Sequence, residues 1–315
     1  MLLEGTVFRV NSGNYHIETD NDGTVVAKLR GNLKKELIYS TSGSRPFRVE
    51  QAKKRRDTDP IAVGDRVRVD SALAVIEEIL PRHSEFSRES PSLKGQHTLV
   101  ANLDHLFVVF AAREPQPDLW LLDRFLIAAE SADINASIII NKVDLLDGDY
   151  TALDEALTPY RKMGYRVFPV SAREQIGLEE LREELRSHIS AFAGPSGVGK
   201  SKLLNSLCPG LNLRVGDIGY ITYKGRHTTT SAELIPLEVG AGSWVADTPG
   251  LRQLQFWQAP KEEMQFCFRE FAPYLGQCRF NDCSHGNELG CAIVAAVESG
   301  EIDERRYRSF RELRQ

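Results

Sequence analysis

Sulfur is scarce in this sequence, and long apolar runs are missing. Five cysteines and three methionines occur in 315 residues. The longest purely apolar stretches, such as Leu106 to Ala112, fall far short of the roughly 20 residues that cross a bilayer. No membrane association is expected. Glu4 stands near the start with no basic leader before an apolar stretch, so no targeting segment is expected and the location is read as cytoplasmic. An odd number of cysteines in a reducing compartment argues against a disulfide framework. Internal repeats and low-complexity tracts are absent too. What remains is a multidomain globular chain, and 42% hydrophobic content is enough for two or three buried cores.

Net charge is slight, at −5, but unevenly spread. Lys28 to Asp57 carries ten Lys/Arg against Glu36, Glu50 and Asp57. Such a segment can neutralise the phosphates of a nucleic acid, or be no more than a solvated basic loop.

Turn signals at Asn11 to Asn14, Asp20 to Gly23 and Gly64-Asp65 separate short strand-like runs over Gly5 to Val10, Tyr15 to Thr19, Val25 to Leu29, Arg66 to Val69 and Ala74 to Ile79. Residues 1–80 are therefore read as an all-β barrel of the oligonucleotide-binding (OB) type, although an SH3-like barrel has much the same pattern. Residues 81–96 are polar and read as a linker. Beyond them, Leu106 to Ala112, Ala136 to Ile140 and Val167 to Val170 look like buried parallel strands. They alternate with helices over Leu119 to Ser131, with Asp118 as N-cap, and Leu178 to Ile189. This predicts a doubly wound α/β domain over 97–255. Residues 256–315 read as a small helical domain, with segments around Pro260 to Leu275, Ala292 to Glu298 and Asp303 to Leu313.

Gly194-Pro195-Ser196-Gly197-Val198-Gly199-Lys200-Ser201 satisfies GxxxxGK[ST], in which backbone N–H groups wrap phosphates at a helix N-terminus. Lys200 suits the β and γ phosphates, Ser201 suits Mg²⁺, and Lys202 continues the phosphate-binding stretch. The glycines allow a backbone approach that a Cβ would obstruct. Alone, the pattern fits any phosphate-loop ATPase or nucleotide kinase.

Asn141-Lys142-Val143-Asp144 follows an apolar strand, at the carboxyl end where open α/β sheets bind ligands. Asp144 can accept from guanine N1–H and the 2-amino group, and Asn141 can donate to the N7/O6 edge. Adenine has neither donor and would leave a buried carboxylate unpaired. Lys142 can lay its stem beside the base. Ser171-Ala172 follows the next strand and offers a backbone N–H to guanine O6.

Asp247-Thr248-Pro249-Gly250 follows the strand-like Ser243 to Ala246 and matches DxxG. Asp247 would hold Mg²⁺ through water, and the Gly250 N–H would sense the γ-phosphate. Upstream, Gly225-Arg226-His227-Thr228-Thr229-Thr230 occupies the place of a first switch, with Thr229 as the Mg²⁺ ligand and Thr230 as its alternative. Leu251 stands where many GTPases carry the glutamine that orients the attacking water, so slow intrinsic hydrolysis is expected. His227 is the nearest substitute, or else a solvated loop histidine.

These motifs run in a permuted order, guanine motif first and phosphate loop second. A sheet can be opened at another loop without losing its strands, because chain termini usually lie at the surface and often near each other. The pocket survives, and the second switch then leads into the C-terminal region.

Cys278, Cys283, His285 and Cys291 supply three thiolates and an imidazole within a short stretch. Four protein ligands suit one tetrahedral, structural Zn²⁺ with no open position. Cys208 and Cys267 read as buried free thiols. Arg279, Arg305, Arg306, Tyr307 and Arg308 are candidates for RNA contact, equally readable as a solvated helix face.

The barrel-like start, the order NKVD, GPSGVGKS, GRHTTT, DTPG, and the CxxxxCxH…C cluster together resemble the circularly permuted, small ribosomal subunit-dependent GTPase A family of bacteria, over nearly the whole chain. The resemblance implies an OB barrel, a central α/β circularly permuted P-loop GTPase domain and a C-terminal zinc domain. It also implies GTP/GDP, Mg²⁺ and one Zn²⁺ as cofactors, the small ribosomal subunit and its rRNA as partners, a monomer, and hydrolysis stimulated by that subunit late in its maturation. Two other readings stand beside it. GPSGVGKS also looks like the phosphate loop of guanylate kinases, and Leu251 is compatible with an RNA-binding scaffold that holds GTP without turnover.

Overall fold

The computed structural model describes residues 1–21, 23–31, 35–39, 49–54, 60–89, 96–211, 233–247, 261–286 and 288–314. The chain divides into two compact units. The first comprises Met1–Leu103, Arg226–Pro236 and Trp244–Gly250; the second comprises Asp104–Gly225, Leu237–Ser243 and Leu251–Gln315.

The first unit opens with β1 (Leu2–Asn11), β2 (Asn14–Thr19) and β3 (Gly23–Leu29), followed by the pair β4 (Lys35–Tyr39) and β5 (Val49–Lys54). Then come β6 (Arg66–Asp70) and β7 (Val75–Ile79). Antiparallel pairs β1–β2, β2–β3, β6–β7 and β1–β6, with a parallel β3–β7 contact, close a five-stranded barrel. Closure leaves these strands without free edges. Period-two alternation is plain in β6, where Val67 and Val69 join Val7, Ile17 and Ile76 in the barrel core. Arg66 and Arg68 point outward instead, to Asp20, Glu4 and Glu78. Much of the basic segment, 32–34, 40–48 and 55–57, lies outside the described residues. β8 (Glu85–Glu89), within the stretch read as a linker, pairs antiparallel with β9 (Gln96–Ala101), at and beyond its end.

In the second unit, β10 (His105–Ala111), α1 (Leu119–Ser131), β11 (Asn135–Asn141), α2 (Thr151–Lys162), β12 (Arg166–Pro169), α3 (Leu178–Glu184), β13 (Ile189–Ala193) and α4 (Lys200–Leu207) alternate. The strands pair in the order β12-β11-β10-β13, all parallel. Asp118 caps α1 by accepting from Trp120 N and Leu121 N at 3.0 and 3.1 Å. The helix expected over Leu178 to Ile189 stops at Glu184, because the apolar run beginning at Ile189 is a strand paired with β10. A short apolar run carries no period that separates strand from helix. The helix α2 is polar, with only Leu157 and Tyr160 buried, and gave too sparse a pattern to be expected.

The same unit ends in 3-10 turns at Met264–Cys267 and Arg269–Tyr274, then α5 (Ala292–Glu298) and α6 (Glu304–Leu313). Phe268 stacks on Phe271 at 5.1 Å between centroids, and Phe310 meets both edge-on at 5.4 and 4.9 Å, in a core that Ile127 of α1 also enters. Cys208 and Cys267 are buried free thiols. Arg306 is fully buried, bonded to Asp123 and Glu270, and Arg305 also bonds Asp123. Both arginines hold the C-terminal helix to α1, and the burial of Arg306 corrects its reading as an RNA-contact or solvated residue, whereas Arg305 stays partly exposed.

Two further strands belong to the first unit. β14 (Glu233–Pro236) and β15 (Trp244–Asp247) pair antiparallel, and β14 pairs with β1.

Candidate functional site

Three site-bearing loops of the second unit leave the carboxyl ends of strands in one parallel sheet. NKVD follows β11, Ser171-Ala172 follows β12, and the phosphate loop follows β13. From β10 the chain builds outward to β12, then returns to place β13 on the other side of β10. The reversal between β10 and β13 is the switch point where open sheets of this kind bind ligands.

The loop at 194–199 can only be glycine-rich. Gly194 has φ +141°, and a Cβ there would stand 2.1 Å from Val109 O on β10. Gly199 has φ +94° and caps α4, and a Cβ there would meet Asn141 Nδ2 at 2.5 Å. Lys200 Nζ donates to Gly194 O and Pro195 O, both at 2.7 Å, curling back over the loop it follows. Ser201 is buried beside it and Lys202 is exposed. A loop whose close approaches exclude Cβ atoms, ending in a helix N-terminus, fits a phosphate chain.

Asn141 joins the parts. Its Nδ2 donates to Val198 O at 2.9 Å in the phosphate loop, and its Oδ1 accepts from Ala172 N at 3.1 Å. The side chain expected to meet the guanine edge thus ties two loops together, and the Ala172 N–H expected to face guanine O6 is donated to Asn141. Ser171 Oγ donates to Asp144 Oδ1 at 2.6 Å and accepts from Glu174 N, fixing the carboxylate. Lys142 takes a left-handed backbone, φ +64°, and its Nζ donates to Glu114 O, in the loop after β10. Sequence reading gave that loop no part in the site, since nothing in Arg113 to Gln116 marks it.

Among the other expected residues, Asp247 ends β15 in the first unit. Gly225 to Thr230, including His227 and Thr229, and Thr248 to Leu251, including Gly250, lie outside the described residues.

Cys278, Cys283, His285 and Cys291 place their ligand atoms within 4.8 Å of one another. Cys278 Sγ and Cys291 Sγ are 3.9 Å apart, and each is 3.5 Å from His285 Nδ1. A tetrahedron with Zn–S of about 2.3 Å has edges of about 3.8 Å, so the donor set fits Zn²⁺. His285 Nε2 donates to Gln265 Oε1 at 2.7 Å, leaving Nδ1 as the lone-pair nitrogen. Burial, with Arg314 nearby, lowers the His285 pKa and favours that neutral form. Burial pushes the Cys283 thiol up to about 12, so a cation must draw off its proton for it to ligate. Gln265 has no local signal in the sequence, standing well before the cluster.

The model of the RsgA GTPase family matches residues 79–257. A small ribosomal subunit biogenesis GTPase RsgA from Gemmatimonas aurantiaca is 40% identical over 316 residues, covering 98% of this chain and 96% of its own. One of the same description from Moorella thermoacetica is 40% identical over 98% of this chain and 95% of its own. Among solved structures, YjeQ from Thermotoga maritima aligns with a TM-score of 0.77 at 33% identity, over 100% of this chain and 98% of that one. YloQ, described as a circularly permuted GTPase, aligns at 0.73 and 28% identity, over 100% and 94%.

Proposed function

The chain belongs to the RsgA GTPase family and is a GTP hydrolase, and from that premise we propose that it acts in late maturation of the small ribosomal subunit, is stimulated by that subunit, and dissociates after hydrolysis. The observation that carries the reading is the pair of hydrogen bonds by which Asn141 engages Val198 O and Ala172 N, tying the guanine-motif strand end to the phosphate loop and to the Ser171-Ala172 loop. The names of its relatives support the ribosomal role.

In this reading Asp144, oriented by Ser171, pairs with guanine, and the backbone of 194–201 holds the phosphates. Lys200 exchanges its two carbonyl partners for β and γ oxygens. Ser201 and Thr229 would hold Mg²⁺, with Asp247 assisting through water, and the ion would supply charge neutralisation at the phosphates. Gly250 reports the γ-phosphate, and His227 or a ribosomal group orients the water that Leu251 cannot. Residues 1–80 and 256–315 contact rRNA, flanking a linker at 81–96 and a GTPase domain at 97–255. No helix among the described residues is long and apolar enough to cross a membrane; a cytoplasmic monomer is proposed.

The test is hydrolysis of GTP against ATP, with and without purified small subunits, across a salt series. Guanine selectivity and a stimulation that fades with salt are expected. Equal use of ATP, or indifference to the subunit, overturns the reading. ADP production from ATP and GMP would instead indicate a nucleotide kinase.

A further inference from the structure

The backbone of Ala172 is held on both sides. Its N–H donates to Asn141 Oδ1 at 3.1 Å, and its carbonyl accepts from Ser206 Oγ at 2.9 Å and from Gln175 Nε2 at 3.0 Å. Ser171 and Ile176 exchange backbone hydrogen bonds at 3.0 and 3.1 Å, so residues 171–176 form a closed loop. Arg173 to Ile176 are exposed, whereas Ser171 and Ala172 are buried. A buried carbonyl needs a partner, and here the loop itself and α4 each supply a donor.

Ser206 belongs to the helix that starts directly after the phosphate loop, and lies about 9 Å along its axis from Lys200. The carbonyl of Ser206 accepts from Arg182 Nη2 at 2.9 Å, and Leu207 O accepts from Arg182 Nε at 3.2 Å, so a cation on α3 secures the end of α4. The donor that reaches Ala172 is therefore itself fixed. One helix begins at the phosphate loop and ends on the loop whose Ser171 hydroxyl donates to Asp144 Oδ1 at 2.6 Å.

We propose that Ser206 is a positioning residue for guanine selection, with Gln175 as its partner. Together they hold the Ala172 carbonyl, which fixes the backbone of residue 172 and, through it, the Ser171 hydroxyl that orients Asp144. The inference rests on the role given to Asp144 under the proposed function. Neither residue lies in a nucleotide motif, and α4 gains a part in reading the base as well as in binding the phosphates.

The test uses the full chain and equilibrium binding of GDP and of inosine diphosphate, which lacks the 2-amino group that Asp144 accepts from. The unmodified protein should prefer GDP by roughly tenfold or more, the size of one hydrogen bond to a charged group. In Ser206→Ala, Gln175 still serves the carbonyl, and the preference should fall about twofold. In the double variant Ser206→Ala, Gln175→Ala it should fall roughly three- to tenfold. Ser206→Thr keeps a hydroxyl and should retain the preference. A helix merely loosened by these substitutions would weaken both nucleotides equally and leave their ratio unmoved, because the phosphate loop serves the diphosphate that they share. Thermal melting checks that each variant is folded, and Ser206→Ala is read alone if the double variant is not. A folded variant so read whose ratio equals that of the unmodified protein, or a Ser206→Thr protein that loses the preference as fully as the double variant, overturns the inference alone. An unmodified protein that binds inosine diphosphate as tightly as GDP overturns it together with the role of Asp144.

Discussion

Asp123 on α1 and Arg306 on α6 meet at 2.8 Å, and neither side chain is reached by solvent. The carboxylate also accepts from Arg305 at 2.7 Å, from Tyr160 OH at 2.6 Å and from Ser309 Oγ at 2.6 Å, while Arg306 turns its other nitrogens to Glu270. Burial alone would raise the Asp123 pKa, but Arg306, Arg305 and Ser309 outweigh it and hold the carboxyl below its ordinary range. Removing one member of such a cluster strands the others, at a cost of about 3–5 kcal/mol. Asp123→Ala should lower the urea midpoint accordingly, and a loss below about 1 kcal/mol would mean that the cluster contributes little.

Zinc should be held by more than its ligands. Gln265→Ala removes the acceptor that fixes the His285 tautomer and should weaken zinc binding by roughly 10–100-fold, read by competition with a chromophoric chelator. Cys283→Ser removes a ligand outright and should release the metal during purification. Zinc content equal to that of the unmodified protein in both variants would contradict this.

Gly199→Ala should damage nucleotide binding without unfolding the sheet. The new Cβ meets Asn141 Nδ2 at 2.5 Å on a backbone at φ +94°. Strain of this kind is worth about 1–3 kcal/mol, so GDP affinity should fall roughly 5- to 150-fold. Isothermal titration would show it, and a GDP affinity unchanged in the folded variant would mean that the site tolerates the methyl.

His105 predicts a pH dependence of stability. Burial lowers its pKa from 6.5 to about 4, and its Nε2 lies 2.9 Å from Ser137 Oγ. Between those values the unfolded chain binds a proton that the folded one refuses. Stability therefore falls as pH drops from about 6.5 to about 4, by up to about 3 kcal/mol from this residue. His105→Gln should flatten that part of a plot of urea midpoint against pH; an unaltered slope would assign the effect elsewhere.

Much of this was legible in sequence because local chemistry and tertiary environment agree. Barrel strands such as β6 alternate cleanly, Asp118 announces its helix, and the phosphate loop and zinc ligands have fixed spacings. The illegible parts depend on partners far along the chain. Ile189 to Ala193 becomes a strand only because β10 lies beside it. Arg305 and Arg306 look like surface cations until Asp123 is placed opposite them. Gln265 has meaning only through His285.

Asn141, with its amide engaged by two loops at once, limits what redesign can achieve. A library that seeks a chain with a taste for an unnatural purine should vary Asp144 and leave position 141 fixed. Randomising 141 would dismantle the receptor rather than retune it, and survivors of such a screen should all carry asparagine.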